Sequence, residues 1–185
     1  MLAWLKQKRK VRHNARELYG SIVTQARDEF FYDRLGVPDS PEGRLELIVL
    51  HLVLVLDRLQ VAGNDAREAA RALTEAFVID MDDGLREMGT GDLAVPRKVR
   101  KAAAAVFDRH RDYMQSWRDA DPMALDAALA RHVGRLGAGV HVADLADYAR
   151  AARDRLATQD LLNAGGAGAV FPRPSADGRR ARVSP

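Results

Sequence analysis

The run from Leu47 to Leu56, in which aliphatic side chains are interrupted only by His51, constrains the fold of this chain more than any other feature. Ser40-Pro41-Glu42 precedes it, with an N-cap serine, then a proline and an acid in the first helical turn, and Gly63 stops it. These boundaries favour a helix over a buried strand. Because this helix is apolar on nearly all sides, we expect it to be the central helix. It falls well short of the about 20 apolar residues that span a bilayer.

The rest of the chain has the same helical character. Apolar residues recur three and four positions apart, and glycines and prolines fall in the gaps between these segments. With 185 residues, 47% of them apolar, the chain can bury one substantial core, and the absence of cysteine excludes disulfides and thiolate zinc sites. We therefore predict an all-α fold, a single compact domain of about six helices.

The two ends of the chain differ in composition from its middle. Residues 1–13 carry several basic side chains and no acid, which predicts a basic N-terminal arm, although their apolar opening is too short for a secretory signal. We place the helical domain at 14–162. Residues 163–185 are rich in glycine, proline and arginine and are predicted to form a disordered tail. We expect a cytoplasmic protein, with a peripheral position at the inner face of the cytoplasmic membrane as the alternative.

Motifs for catalysis or cofactor binding are absent from the sequence. There is no phosphate-binding glycine loop, nucleophile elbow or His-Glu-x-x-His pattern. The strongest metal candidate is 80–83, Asp-Met-Asp-Asp, but on a helix Asp82 points nearly opposite Asp80, so the carboxylates do not converge. His51 and His110 lie in apolar stripes and are interpreted as satisfied core histidines. We therefore predict no catalytic residue, cofactor, metal site or small-molecule substrate.

One structural ion pair is predicted from helical wheels. Asp80 and Asp83 lie along the edge of the apolar stripe of a third helix, predicted for 64–88. Arg44 lies on the face of the second, central helix that also carries Leu47. If these helices fold back antiparallel, Arg44 comes level with the two acids. Because buried charges are normally paired, we predict a half-buried ion pair between Arg44 and Asp80 or Asp83.

Charges at two other places have two open interpretations each. Acids crowd the end of the third helix and bases crowd the start of the fourth, which Pro96 is predicted to open, and both sets of charges oppose the helix dipole. They either neutralise each other or remain solvated, or they form a charged recognition surface. The N-terminal arm combines apolar and basic residues, which suits an anionic membrane surface or RNA phosphates, but also a merely solvated helix end. The arm residues in question are Trp4, Lys6, Lys8, Arg9, Lys10 and Arg12.

Several stretches together resemble the ubiquinol-cytochrome c chaperone family. The strongest is 80–95, where Asp-Met-Asp is followed by Leu-Arg-Glu-Met-Gly, then Gly-Asp and a valine. The departure from the family pattern is Thr90, where an apolar residue is expected. The other matching stretches are Leu18-Tyr19-Gly20, Gln25-Ala26-Arg27, Phe31-Tyr32, Gly36-Val37-Pro38-Asp39, Gly43-Arg44-Leu45-Glu46 and Leu50-His51.

This resemblance implies an all-helical, non-enzymatic chaperone. Members of the family bind newly synthesised cytochrome b and assist the assembly of ubiquinol-cytochrome c reductase, respiratory complex III. In the mitochondrial relatives a small partner protein takes part, at the exit region of the ribosome. The alternative function is a helical adaptor that binds RNA or an anionic membrane surface.

We predict that residues 85–101 form one wall of the client-binding surface. Arg86 points away from the apolar stripe of its helix, two glycines let another chain approach closely, and Leu93 and Val95 are expected to be exposed apolar contacts. The predicted client-binding residues are Arg86, Gly89, Gly91, Asp92, Leu93, Val95, Arg97, Lys98 and Lys101.

Overall fold

A computed structural model describes residues 2–60, 64–91, 93–162 and 168–174. Within these ranges the chain forms helices and contains no strand, which confirms the all-α prediction. Six long helices match the predicted ones, and a short extra helix follows the first. The α-helices are α1 (Leu2–Ala26), α2 (Glu29–Asp33), α3 (Pro41–Gln60), α4 (Asn64–Glu87), α5 (Val95–Arg118), α6 (Ala124–His132) and α7 (Val142–Ala157), with a 3-10 turn at Gly134–Leu136.

Helix α3 is the centre of the domain, as predicted. It packs against α1, α4, α5 and α7, and its residues from Leu47 to Val55 are buried on every side. At its start the Ser40 hydroxyl accepts a hydrogen bond from the Gly43 amide at 3.1 Å, which is the expected N-cap. Gly43 lies so close to Pro38 that a Cβ there would overlap the Pro38 carbonyl oxygen.

Helix α1 packs most extensively against α4, and this pairing positions the charged end of α4. Tyr19 of α1 meets Phe77 of α4 edge to face, with ring centroids 6.4 Å apart. Leu18 and Ile22 of α1 and Leu73 of α4 are buried in the same core. On the other side of α3, α6 packs between α5 and α7.

A backbone hydrogen bond joins the α2–α3 connection to the segment that precedes α7. The His141 amide donates to the Leu35 carbonyl at 2.8 Å. Gly36 has a φ of 67° and touches the Gly139 backbone where a Cβ would have no room. Only glycine satisfies both conditions at this position.

The ends of the described chain are joined to the domain. Helix α1 is continuous from Leu2 to Ala26, so the basic arm forms its first half. The prediction of an unpacked tail is wrong for residues 168–174, where Ala169 is buried and Phe171 packs on the core. Residues 163–167 and 175–185 lie outside the described residues.

None of the described helices combines the length and the apolarity that a membrane crossing requires.

Candidate functional site

The candidate site is the α4–α5 corner, which comprises residues 85–101. Helix α4 ends here in a Schellman motif: the Thr90 amide donates to the Leu85 carbonyl at 3.0 Å and the Gly89 amide donates to the Arg86 carbonyl at 2.9 Å. Gly89 has a φ of 74°, the left-handed conformation that this motif requires. The chain therefore turns sharply at Gly89 and leaves Gly91 exposed.

Helix α5 begins with a buried residue. Val95 is 0% exposed, so the expectation that it would offer an exposed apolar contact is wrong. Its amide donates to the Gly91 carbonyl and Pro96 follows in the first turn, so the valine side chain anchors the start of α5 in the protein interior. Val95 therefore stabilises the connection between α4 and α5 and is not part of its exposed surface.

Two other apolar side chains are exposed at the corner. Leu93 is 100% exposed, as predicted, and Met88 is 63% exposed. Met88 follows Glu87, the last residue of α4, so the helical period does not set the direction of its side chain. The apolar part of the corner consists of Leu93 and Met88.

The charges of the corner do not neutralise each other in the described part of the chain. Arg86 pairs with Asp82 at 2.7 Å within α4, and Lys98 donates to the Thr90 hydroxyl at 3.2 Å. No ion pair among the described residues joins the acids of α4 to the bases that open α5. Asp92, also predicted for this surface, lies outside the described residues. The exposed basic residues at the start of α5 are Arg97, Lys98, Arg100 and Lys101.

The predicted ion pair between α3 and α4 is wrong. Arg44 pairs with Asp39, five residues earlier, through a bidentate contact of 2.6 and 3.1 Å. Asp80 instead accepts a hydrogen bond from the Tyr19 hydroxyl at 2.7 Å, and Asp83 is exposed. Because α4 lies beside α1, Asp80 faces α1, and the nearby Asp39 takes the guanidinium.

A buried ion pair exists elsewhere and was missed from the sequence. Glu46 of α3 is 5% exposed and accepts hydrogen bonds from Arg109 of α5 at 2.5 and 3.1 Å. Arg135 approaches the same carboxylate at 3.5 Å. The signal in the sequence was an acid between two leucines of the central helix, but nothing marked its partner.

His51 is a satisfied core histidine, as predicted. Its Nδ1 lies 2.7 Å from the Leu47 carbonyl, which can only accept, so Nδ1 carries the proton. Its Nε2 then accepts from the Tyr148 hydroxyl at 2.7 Å. Burial lowers the pKa of His51 to about 4, so the ring is neutral near pH 7. With both ring nitrogens hydrogen-bonded and the ring fully buried, His51 has a structural role in the core.

The basic residues of the N-terminal arm lie on the first half of α1. Lys6, Arg9, Lys10 and Arg12 are exposed, and the side chain of Trp4 lies outside the described residues. Lys8 is half-buried in a groove of about 520 Å³ between α1 and α4. Basic residues from both helices line this groove together with two glutamates: Lys8, Arg12, Arg67, Arg71, Glu68 and Glu75.

No metal centre could be built from the side chains in the described ranges. Within them, no three His, Cys, Asp or Glu residues are placed to hold one ion. Asp80 and Asp82 are engaged by Tyr19 and Arg86.

Comparisons with known proteins agree with this architecture. The sequence profile of the family described as ubiquinol-cytochrome C chaperone matches residues 33–164, well over half of the chain. The crystal structure of the Cbp3 homolog from Brucella abortus is similar, with a TM-score of 0.78 and 29% identity over 93% of this chain and 97% of that chain. No curated protein matches the sequence. The resemblance identified in the sequence is thereby confirmed.

Proposed function

Because the chain belongs to the ubiquinol-cytochrome c chaperone family, we propose that it is a non-enzymatic assembly chaperone for ubiquinol-cytochrome c reductase, respiratory complex III. The observation that carries this proposal is the family match over most of the helical domain, together with the fold shared with a Cbp3 homolog. Its client in this proposal is newly synthesised cytochrome b.

We place the client-binding surface at the α4–α5 corner. Cytochrome b helices are apolar, so a chaperone needs an exposed apolar contact beside charges that keep the free surface hydrated. Leu93 and Met88 supply the apolar contact, and Arg86 and Arg97 lie on the exposed faces of the two helices. Bases at the start of α5 oppose the helix dipole, and a partner that bears carboxylates would compensate them.

The remaining partners in the proposal come from the family resemblance. They are a small partner protein and the exit region of the ribosome, where a client can be met as it is synthesised. The proposed location is the cytoplasm, with peripheral contact at the inner face of the cytoplasmic membrane, because the client must reach that membrane.

The proposal is tested by deleting the gene and measuring haem-loaded cytochrome b in membranes by its absorbance. We expect a specific loss of this cytochrome, with other membrane haem proteins unchanged, and its return when the gene is restored. Normal levels of cytochrome b in the deletion strain would refute the chaperone function.

A second function is supported by the basic groove between α1 and α4. Arg67 and Arg71 of α4 extend the positive surface of the arm, so the bases form a two-helix patch that suits an anionic membrane or RNA. A Lys6→Glu, Arg9→Glu, Lys10→Glu variant should lose co-sedimentation with phosphatidylglycerol vesicles if this patch contacts lipid. Retained co-sedimentation together with lost RNA binding would assign the patch to RNA.

A further inference from the structure

Residues 168–174, here called the strap, cross the surface of the domain without forming a helix or a strand. At one end the Ala169 amide donates to the Ser21 hydroxyl of α1 at 2.9 Å. At the next residue the strap contacts Gln159, just beyond the end of α7. The strap therefore bridges two helices that both pack on α3.

The main chain of the strap, not its side chains, provides its hydrogen bonds. The Gln159 amide accepts from the Val170 amide at 3.0 Å and donates to the Val170 carbonyl at 2.8 Å. A side-chain amide that pairs with both main-chain groups of one residue holds an extended chain whatever its sequence. The Val170 side chain itself is 48% exposed.

Two side chains of the strap pack on the core, Ala169 and the larger Phe171. The Phe171 ring meets His51 edge to face, with centroids 5.0 Å apart. Phe31 and Tyr148 pack around the same histidine and complete an aromatic floor. Phe171 remains only partly buried, whereas the floor residues are buried.

The floor does not depend on the strap for its polar contacts. Both nitrogens of His51 are satisfied from within the domain, by Leu47 and Tyr148. The imidazole is therefore held as a neutral ring, which presents an apolar aromatic edge to whatever lies above it. Such a pre-formed floor can accept a phenylalanine from another chain as readily as from this one.

We propose that the groove under the strap is a peptide-recognition site, occupied in this structure by the protein's own C-terminal segment. Its ligand is an extended segment of a partner polypeptide in which an aromatic residue follows a small or aliphatic one, as in Ala169-Val170-Phe171. The strap competes with this ligand. The site is distinct from the α4–α5 corner, and the proposal does not depend on the identity of the client.

The test uses the full chain and a fluorescent peptide, Gly-Ala-Val-Phe-Pro-Arg-Pro, the sequence of residues 168–174. Gly168 has a φ of 68°, and a Cβ there would press on the Glu17 carbonyl, so Gly168→Ala should dislodge the strap without touching the floor. We expect the variant to bind the peptide at least about tenfold more tightly than the wild type, because the strap leaves the groove empty in a larger fraction of the molecules. Gly20→Ala on α1, where a Cβ meets nothing within 4 Å, should leave the affinity unchanged.

Specificity is tested with a peptide whose phenylalanine is replaced by alanine and with Gln159→Ala in the Gly168→Ala background. Both changes should abolish the gain in affinity, and Phe171→Ala should reproduce the gain if Gly168→Ala fails to fold. A folded Gly168→Ala protein that binds the peptide no better than the wild type would overturn the proposal. A Gly168→Ala protein that elutes as a dimer on size-exclusion chromatography would also overturn the proposal, because the groove would then hold the segment of a second copy of this chain.

Discussion

Glu46 and His51 are the two buried polar residues of the described core, and each is satisfied by a distant partner. Arg109 lies 63 positions from Glu46, and Tyr148 lies 97 positions from His51. The sequence could indicate that His51 is buried, because it interrupts an aliphatic run. It could not indicate either partner, since such pairings depend on how whole helices pack.

The predicted partner of Arg44 was wrong for a different reason, because its actual partner lies close to it in the sequence. A carboxylate five positions away, at Asp39, is available whatever the tertiary fold, and it outcompetes more distant acids. A helical-wheel argument pairs side chains on different helices and does not consider a partner in the turn that precedes a helix.

Arg109→Ala should strongly destabilise the protein. Without the guanidinium, the Glu46 carboxylate stays buried beside the more distant Arg135, and loss of one partner of a buried pair costs about 3 kcal/mol of unfolding free energy. Urea unfolding followed by circular dichroism measures the change. Arg44→Ala, which breaks an exposed pair, serves as the control and should shift the midpoint far less. Equal shifts for the two variants would contradict the assignment of the buried pair.

The stability of the protein should depend on pH through His51. Its pKa is about 4 in the folded protein, below the value of about 6.5 for an unfolded histidine. Between these values the unfolded chain binds a proton that the folded protein does not, so stability rises with pH across this window. Lowering the pH through it should remove about 3 kcal/mol of unfolding free energy.

Urea midpoints at about pH 7 and about pH 4.5 measure this dependence. His51→Leu has no group that titrates there and should show a flatter pH dependence, whatever its absolute stability. An equally steep dependence in the variant would assign the effect to carboxylates instead.

At the scale of elements, helix boundaries followed from local chemistry. Ser40 caps α3 and Pro96 lies in the first turn of α5, as predicted. Side-chain exposure was harder to predict at the helix ends. Met88 follows the last residue of α4 and is exposed, whereas Val95, the first residue of α5, lies seven positions before the buried Ala102 and belongs to the same buried stripe.

Gly43→Ala should destabilise α3 at its first turn. The new Cβ would overlap the Pro38 carbonyl, and such overpacking costs about 2 kcal/mol. Gly84→Ala, in α4 with open space around the new Cβ, should instead gain about 0.5 kcal/mol through helix propensity. Thermal unfolding distinguishes the two, and a stabilised Gly43→Ala protein would contradict the close approach.

At the scale of the whole molecule, the sequence predicted the central helix but not its neighbours. An almost wholly apolar α3 must be surrounded, and it is packed by four other helices. That α1 lies along α4, and that the strap returns to α1 and α7, depend on contacts between distant parts of the chain. The candidate surface at the α4–α5 corner was predicted in part: Leu93 is exposed, but Val95 is buried.

The central claim is that the α4–α5 corner binds cytochrome b and is separable from the fold. The most direct measurement is the co-purification of newly made cytochrome b with an Arg86→Glu, Leu93→Asp, Arg97→Glu variant. Phe107→Asp provides a matched control, because Phe107 is 69% exposed on α5 outside the corner.

We expect helical circular dichroism and melting temperature to be nearly unchanged in both proteins, since the altered side chains are exposed. The corner variant should lose cytochrome b, and the Phe107→Asp protein should retain it. Retention of cytochrome b by the folded corner variant would contradict the account.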